Sequence, residues 1–272
     1  MKLWSRIRSH LPGRHLLPSL RTRKPRSSAA DSIEERLGRE LLALDGGLGL
    51  FRLVHLLDAV RWARPRKSML SVGSGGGLHE SLLALRHPEI SVCGVDLRAP
   101  YAEVELPNLR FMQGDLLEPA FAATLPGADF VFSIECLEHI VDDRAVFAKM
   151  AQLVRPGGWL YVEVPFASAA EQADPEVCRR ELEAHEHVRP GYAARQLEAL
   201  AREHGLADIR VAGAFWFPVQ PMVWLATQHL AAPTFADHWR TFRAIAELDL
   251  RQGVPQHRAE ATAIKLLARR PR

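Results

Sequence analysis

The sequence is poor in cysteine and lacks the patterns that mark secreted or zinc-stabilised proteins. Its three cysteines, Cys93, Cys136 and Cys178, form no Cys-x-x-Cys pair and are too few for a disulfide framework. The N-terminal region has no uninterrupted apolar stretch of the length that a secretory signal peptide requires. These absences favour a reducing compartment, and we predict a cytoplasmic protein.

Acidic residues are missing from residues 1–30, which carry eight Lys and Arg side chains. The rest of the chain holds more acidic than basic residues, so the net charge of +3 hides a cationic segment on an acidic body. Several prolines interrupt this segment, and we predict a basic, flexible tail. A short amphipathic helix around Trp4 would alternatively bring the tail into peripheral contact with the inner face of a membrane.

The remaining chain divides into a helical segment and an alternating α/β region. Residues 31–66 show apolar residues at helical spacing, which predicts a helical N-terminal segment. Over residues 67–272 the pattern predicts a doubly wound, mostly parallel sheet of seven strands with helices on both faces. The predicted strands cover 68–72, 90–95, 109–112, 129–134, 159–164, 208–212 and 261–267, and predicted helices cover 78–86, 142–154 and 192–204. We expect Pro156-Gly157-Gly158 to separate the second of these helices from the fifth strand.

Charged Asp, Glu, Lys and Arg residues are also absent from residues 211–236. Pro218 and Pro221 cut this run, which argues against a membrane-spanning helix. The aromatic cluster from Phe215 to Leu225 is compatible with a homodimer contact, an acyl-chain pocket, an interfacial patch or ordinary core. We predict a helical insertion at about 214–258 in the sheet domain.

A glycine-rich loop follows the first predicted strand, in Ser71-Val-Gly73-Ser-Gly75-Gly-Gly77. Glycines let the backbone turn sharply and approach a ligand, and the following helix presents free N–H groups. Such a crevice at the carboxyl end of a parallel strand is typical of nucleotide binding, although a plain flexible turn has the same composition. Leu78 breaks the dinucleotide pattern G-x-G-x-x-G, and the Gly-Lys-Ser/Thr of a P-loop is missing.

Two acidic residues follow the next two predicted strands. Asp96 ends the second strand and is suited to accept hydrogen bonds from two ribose hydroxyls. Asp115 follows the third strand and could accept from an adenine amine, while Leu116 could offer its backbone N–H to a ring nitrogen. The alternatives are a solvated strand-end Asp96 and an Asp115 that caps a turn.

Taken together, these motifs resemble the class I S-adenosylmethionine-dependent methyltransferases of the small-molecule, type 11 kind. The matching pieces, in the family's order, are Leu70-Ser-Val-Gly-Ser-Gly-Gly-Gly77, Val95-Asp96, Gly114-Asp115-Leu116, Ser133-Ile-Glu-Cys-Leu-Glu-His139 and Leu153-Val-Arg-Pro-Gly-Gly158. The match covers roughly residues 68–212 and implies a Rossmann-like methyltransferase fold with S-adenosylmethionine as the cofactor.

The resemblance also implies roles for individual residues. Gly73, Gly75 and Gly77 would wrap the methionine part of the cofactor. Asp96, with Leu97 beside it, would hold the ribose, and Asp115 with Leu116 would read the adenine. Glu135 would lie near the cofactor and face the acceptor. Ser71 stands where the family commonly has an acid that places the cofactor's ammonium group, and Glu80 is a candidate substitute.

Catalytic candidates follow from the chemistry of methyl transfer. A hydroxyl acceptor must lose a proton, and histidine titrates near neutral pH. The candidates are His139, His187 and the intervening His185, together with Glu135. Glu183, His185 and His187 could ligate a metal, but a solvated acidic helix is the simpler interpretation of this charged run, so we predict no metal site.

The predicted function is methyl transfer to oxygen, less favourably nitrogen or carbon, of a small-molecule, lipid-linked or sugar-linked acceptor. Ser71 favours an alternative, a non-catalytic S-adenosylmethionine-binding protein of the same fold. The basic tail favours a nucleic-acid methyltransferase, but the acidic body argues against a nucleic-acid partner. Nucleotide-dependent oxidoreduction is disfavoured by the missing G-x-G-x-x-G.

Overall fold

The computed structural model of the chain describes residues 29–43, 47–217, 219, 222, 235–250, 252–257 and 260–272. The predicted membrane contact around Trp4 and much of the predicted insertion lie outside the described residues. The described helices are α1 (Ala29–Ala43), α2 (Leu48–Ala63), α3 (Leu78–Arg86), α4 (Pro119–Ala122), α5 (Asp143–Leu153), α6 (Ala169–Gln172), α7 (Pro175–His185), α8 (Ala194–Glu203) and α9 (Phe235–Asp249). None of these helices is long and apolar enough to cross a membrane.

Seven strands form one sheet in the order β3-β2-β1-β4-β5-β7-β6. Their ranges are β1 (Ser68–Val72), β2 (Ser91–Asp96), β3 (Leu109–Gln113), β4 (Ala128–Ile134), β5 (Val154–Pro165), β6 (Ala207–Trp216) and β7 (Ala261–Arg269). Strands β1 to β5 pair in parallel, whereas β7 runs antiparallel to both of its neighbours. The prediction of a doubly wound, mostly parallel sheet of seven strands is confirmed.

The sheet is buried on both faces by helices. Successive side chains of each strand point to opposite faces, so neighbouring residues belong to different cores. Met69 packs in a core with residues of α1, α2, α3 and α9. Its neighbour Leu70 packs in a second core with residues of α5 and α8. The helical N-terminal segment therefore covers one face of the sheet, on the same side as α3.

The expected break before the fifth strand is wrong. Strand β5 begins at Val154 and continues through Pro156, Gly157 and Gly158. The backbone N–H of Gly157 donates to the carbonyl of Arg270 at 2.8 Å, and the N–H of Arg270 donates to Gly158 at 2.9 Å. These bonds extend the ladder past the helix-terminating residues, so the Pro-Gly-Gly sequence stops α5 without preventing the strand.

The start of the aromatic cluster is ordinary core. Phe215 is buried, with its ring centroid 4.9 Å from that of Phe51 and 5.7 Å from that of His55. Phe217 is exposed, and residues 223–225 lie outside the described residues. Phe215 therefore holds α2 against the sheet and does not line an acceptor pocket.

Candidate active site

A cavity of about 710 Å³ opens at the carboxyl ends of β1, β2 and β4. Many residues predicted for the site line it: Gly73, Gly75, Asp96, Leu97, Asp115, Leu116, Glu135 and His139. Ser71, Gly77 and His187 are buried at neighbouring positions and are not part of its wall. The carboxyl ends of adjacent parallel strands share one edge of a sheet, which is why residues from distant motifs meet here.

The glycine loop turns tightly at the floor of this cavity. Gly73 has a φ of +76°, and a Cβ at this position would lie 2.3 Å from the Sγ atom of Cys136. Gly75 has a φ of +51° and faces open space. Gly77 is the N-cap of α3, and a Cβ there would lie 2.6 Å from Phe111. The first glycine thus permits close approach to the segment after β4, the second faces the cavity, and the third permits packing against β3.

The two acids hold the backbone around the cavity. Asp96 accepts hydrogen bonds from the N–H groups of Gly75 at 2.8 Å and Arg98 at 2.9 Å, one on each carboxylate oxygen. Asp115 accepts from the N–H of Leu117 at 2.8 Å, so it closes a turn as well as lining the cavity. A carboxylate accepts about four hydrogen bonds, so both side chains retain acceptor capacity for a ligand.

Ser71 and Glu80 form a buried pair behind the glycine loop. Both residues are 2% exposed, and the Ser71 hydroxyl donates a hydrogen bond to the Glu80 carboxylate. Burial raises the pKa of Glu80 to about 7, the serine hydrogen bond opposes this shift, and the nearby charge of Asp96 adds to it. Glu80, the candidate substitute for the acid that the family commonly has at position 71, is therefore in contact with Ser71.

The cavity has more acidic than basic groups in its wall. The acidic residues are Asp96, Asp115, Glu135 and Glu186. Arg98 and His139 are the basic residues that line it within the described chain. This excess of carboxylates favours a cationic ligand.

Cys136 also lines the cavity, but ionisation of its thiol is disfavoured. Burial raises the pKa of its thiol to about 12, and the negative charge of Glu138 acts in the same direction. The thiol is therefore protonated at neutral pH, and a thiolate nucleophile is not expected here.

No sequence pattern points to Arg52, which reaches the site from α2. Its Nη2 atom donates to Oε2 of Glu135 at 2.7 Å, and both side chains are largely buried. Glu135 has a φ of +48°, and its N–H donates to the carbonyl of Glu163 at 2.9 Å. Helix α2 precedes the sheet, and through Arg52 it orients Glu135, which lies 83 positions later in the sequence.

The histidine candidates differ in their placement. His139 lines the cavity, and its ring centroid lies 4.8 Å from that of His187. His187 is buried, with Nδ1 3.4 Å from Oε2 of Glu181. His185 is exposed at the end of α7. His139 is thus the candidate in direct reach of a ligand in the cavity.

The acidic run before His187 is helical, as the simpler interpretation held, but it is solvated only in part, because Glu181 is buried. It forms the C-terminal part of α7, and Glu183 is exposed and pairs with Arg179 at 2.6 Å. The structure instead brings His187 together with His139 and Glu138, which the sequence analysis did not single out as a candidate. Only the packing of α7 against the residues after β4 makes this group recognisable.

Comparison with known proteins places the chain in a family. A family model described as a methyltransferase domain matches residues 49–211, more than half of the chain. A trans-aconitate 2-methyltransferase of Deinococcus radiodurans is 35% identical over 114 residues, which cover 40% of this chain and 42% of that protein. A ubiquinone biosynthesis O-methyltransferase of Albidiferax ferrireducens is 31% identical over 129 residues, covering 42% and 50%. The chain thus spans about half the length of these curated relatives.

A solved structure shows the same fold. The phosphoethanolamine N-methyltransferase 2 of Haemonchus contortus, in complex with S-adenosyl-L-methionine, superimposes with a TM-score of 0.56 at 16% identity. The match covers 90% of this chain and 61% of that one. With the family model, the sheet order and the glycine loop in agreement, the chain belongs to the class I S-adenosylmethionine-dependent methyltransferases.

Proposed function

We propose that this protein transfers a methyl group from S-adenosylmethionine to an oxygen atom of a small-molecule, lipid-linked or sugar-linked acceptor. The observation that carries the proposal is the acid-lined cavity at the carboxyl ends of β1, β2 and β4. The proposal includes a cytoplasmic location and no nucleic-acid partner.

The residues of the cavity fit the cofactor. Gly75 leaves space where any other residue would place a Cβ, and the carboxylates complement a sulfonium and an ammonium group. Asp96 would hold the ribose with its remaining acceptor capacity, and Asp115 with Leu116 would contact the adenine. When bound, S-adenosylmethionine supplies a methyl group on positively charged sulfur, which is activated for in-line displacement.

The acceptor would enter beside His139 and Glu135. His139 is the imidazole placed to contact an acceptor hydroxyl, and Arg52 fixes the carboxylate of Glu135. Leu97 and Val141 line the same cavity and are 66% and 81% exposed, which gives an apolar rim. One of the relatives above is named as an O-methyltransferase, which supports oxygen as the methylated atom.

Cofactor binding tests the first half of the proposal. Asp96→Asn keeps the shape of the side chain but removes its charge, and we expect the affinity for S-adenosylmethionine to fall at least about tenfold. Isothermal titration calorimetry measures the affinity, and the exposed Glu118→Gln is the matched control because Glu118 lies near Asp115 outside the cavity wall. Wild-type protein that binds no cofactor would refute the proposal.

Transfer of a labelled methyl group tests the second half. Pooled phenols, hydroxy acids, amines and RNA are offered separately, and formation of S-adenosylhomocysteine is measured. Turnover with hydroxyl or carboxyl compounds supports the proposal. Turnover with amines or RNA alone would overturn the oxygen or the small-molecule assignment, and cofactor binding without any turnover would favour the non-catalytic alternative.

A further inference from the structure

The end of the sheet opposite the cavity carries mostly basic side chains. Strands β1 and β5 begin at this end and β7 finishes there, because β7 runs antiparallel to β5. Its half-buried and exposed basic residues, which we call the basic edge, are Arg61, Arg64, Arg66, Lys67, Arg155, Arg269 and Arg270. The acidic residues that pair with them or line the adjoining groove, within the described chain, are Asp129, Asp208 and Glu89. Positive charge therefore dominates this end of the molecule.

Asp129 holds two of the contributing segments together. The backbone N–H groups of Arg66 and Lys67 donate to its Oδ2 atom at 3.1 and 2.7 Å. Nη1 of Arg155 lies 3.5 Å from its Oδ1 atom. The side chains of Arg66 and Lys67 are exposed and form no hydrogen bond or ion pair within the described residues. This acid thus fixes the backbone, and the two side-chain charges stay available to an anionic partner.

A groove of about 530 Å³ adjoins the basic edge at the ends of α2 and α3. Its apolar wall is formed by Leu57, Val60, Pro65 and Ile90. Arg61 and Arg64 line the same groove, and their side chains form no hydrogen bond or ion pair within the described residues. Trp62 lies between them in the sequence and is 51% exposed, with the guanidinium carbon of Arg210 3.9 Å from its ring centroid. Cationic, apolar and indole groups side by side are typical of surfaces that meet a membrane–water interface.

The two ends of the sheet differ in charge. Arg66 and Lys67 precede β1, whereas Gly73 of the cavity follows it, and a strand of five residues is about 16 Å long. The wall of the cavity has more acidic than basic groups. A negatively charged surface would therefore attract the basic edge and repel the cavity. Residues 1–30 add eight further basic side chains and no acidic one to the chain.

We propose that the basic edge docks the protein onto a bilayer of anionic phospholipids. The phosphate groups of the lipids would pair with the free guanidinium and ammonium groups, and the lipid chains would contact the apolar wall of the groove. A nucleic acid offers phosphates but no apolar chain for this wall, so the bilayer is the better fit. The cavity would then open toward the aqueous phase. Docking uses no residue of the cavity, so this inference does not depend on the proposed function.

Sedimentation with sucrose-loaded vesicles tests the docking surface in the full chain. We expect binding to phosphatidylcholine vesicles that contain about 30% phosphatidylglycerol, no binding to pure phosphatidylcholine, and release at about 0.5 M salt. Arg61→Gln with Arg64→Gln should weaken binding at least about tenfold, because each basic residue near an anionic bilayer strengthens it about fivefold. Arg180→Gln with Arg195→Gln is the matched control, because it removes the same charge from exposed arginines of α7 and α8.

No binding to the anionic vesicles, or an equal effect of the two double variants, would overturn the docking surface. Arg66→Gln with Lys67→Gln keeps the test valid should the first double variant fail to fold, because both side chains are exposed. Binding to a mixed-sequence RNA without binding to vesicles would assign the edge to nucleic acid and overturn the proposal.

The affinity for S-adenosylmethionine, measured on the same samples, separates this inference from the proposed function. It should be the same with and without vesicles, because the cavity lies at the other end of the sheet. Its loss on vesicles would overturn the orientation, whereas a chain that binds vesicles but never the cofactor would refute only the proposed function.

Discussion

Replacement of the buried Glu80 by glutamine should change how the stability of the fold depends on pH. Glu80 is 2% exposed, and burial raises its pKa from 4.5 to about 7. In the unfolded chain the carboxyl group ionises near its ordinary pKa, whereas in the folded protein it stays protonated until about pH 7. The folded state therefore binds more protons between these values, and its stability falls as the pH rises through this window.

The magnitude follows from the size of the shift. A difference of about 2.5 pKa units corresponds to about 3 kcal/mol of unfolding free energy, and about 2.5 kcal/mol of it is lost between about pH 5 and pH 8.5. Glutamine has no charge to bury and can still accept the hydrogen bond of Ser71. We therefore expect Glu80→Gln to gain about 2.5 kcal/mol relative to wild type over this range.

Urea unfolding at both pH values, followed by circular dichroism, measures the difference. The exposed Glu118→Gln serves as the control and should show the same pH dependence as wild type. A difference between Glu80→Gln and wild type that stays constant with pH would refute the reasoning, because it would mean that Glu80 has the same pKa in the folded and unfolded states.

Two further predictions concern the glycine loop and the core under α2. Gly73→Ala should destabilise the fold by about 3 kcal/mol or more in urea unfolding, because its Cβ would lie 2.3 Å from Cys136 Sγ at a φ of +76°. Gly205→Ala is the control: it has a similar φ of +71° but open space around the Cβ, and it should cost only about 1 kcal/mol. Equal costs would contradict the close approach of the loop to Cys136. His55 lies 3.1 Å from Asp249, and burial together with the charge of Lys265 lowers its pKa to about 4. In the unfolded chain this imidazole is protonated at a higher pH than in the folded protein, so wild type should lose about 2.5 kcal/mol relative to His55→Gln as the pH falls from 6.5 to 4. Parallel stability curves for the two proteins would exclude a neutral His55.

The sequence was sufficient where local pattern and burial agree. Strand β1 and helix α3 have the predicted bounds, because a short apolar run, a glycine loop and an amphipathic helix follow one another there. Asp96 and Asp115 could be assigned to one cavity because parallel strands place their carboxyl ends at one edge of the sheet.

Contacts between distant segments were beyond the sequence. The pairing of Arg52 with Glu135 depends on how α2 packs on the sheet, and the approach of His187 to Glu138 depends on the packing of α7. Neither helix carries a sequence motif from which the residue it contacts could be identified. The continuation of β5 through Pro156 likewise depends on Arg270, more than 100 positions away, which supplies the missing ladder bonds.

The position of β7 has a consequence for the order in which the chain folds during synthesis. Strand β6 pairs with β7 and not directly with β5, although β7 is made later than either. While the ribosome is still translating the segment before Ala261, β5 therefore has an open edge and β6 has no place in the sheet. We expect the nascent chain to assemble β1 to β5 first and to close the sheet only when β7 emerges and inserts between two strands that are already made.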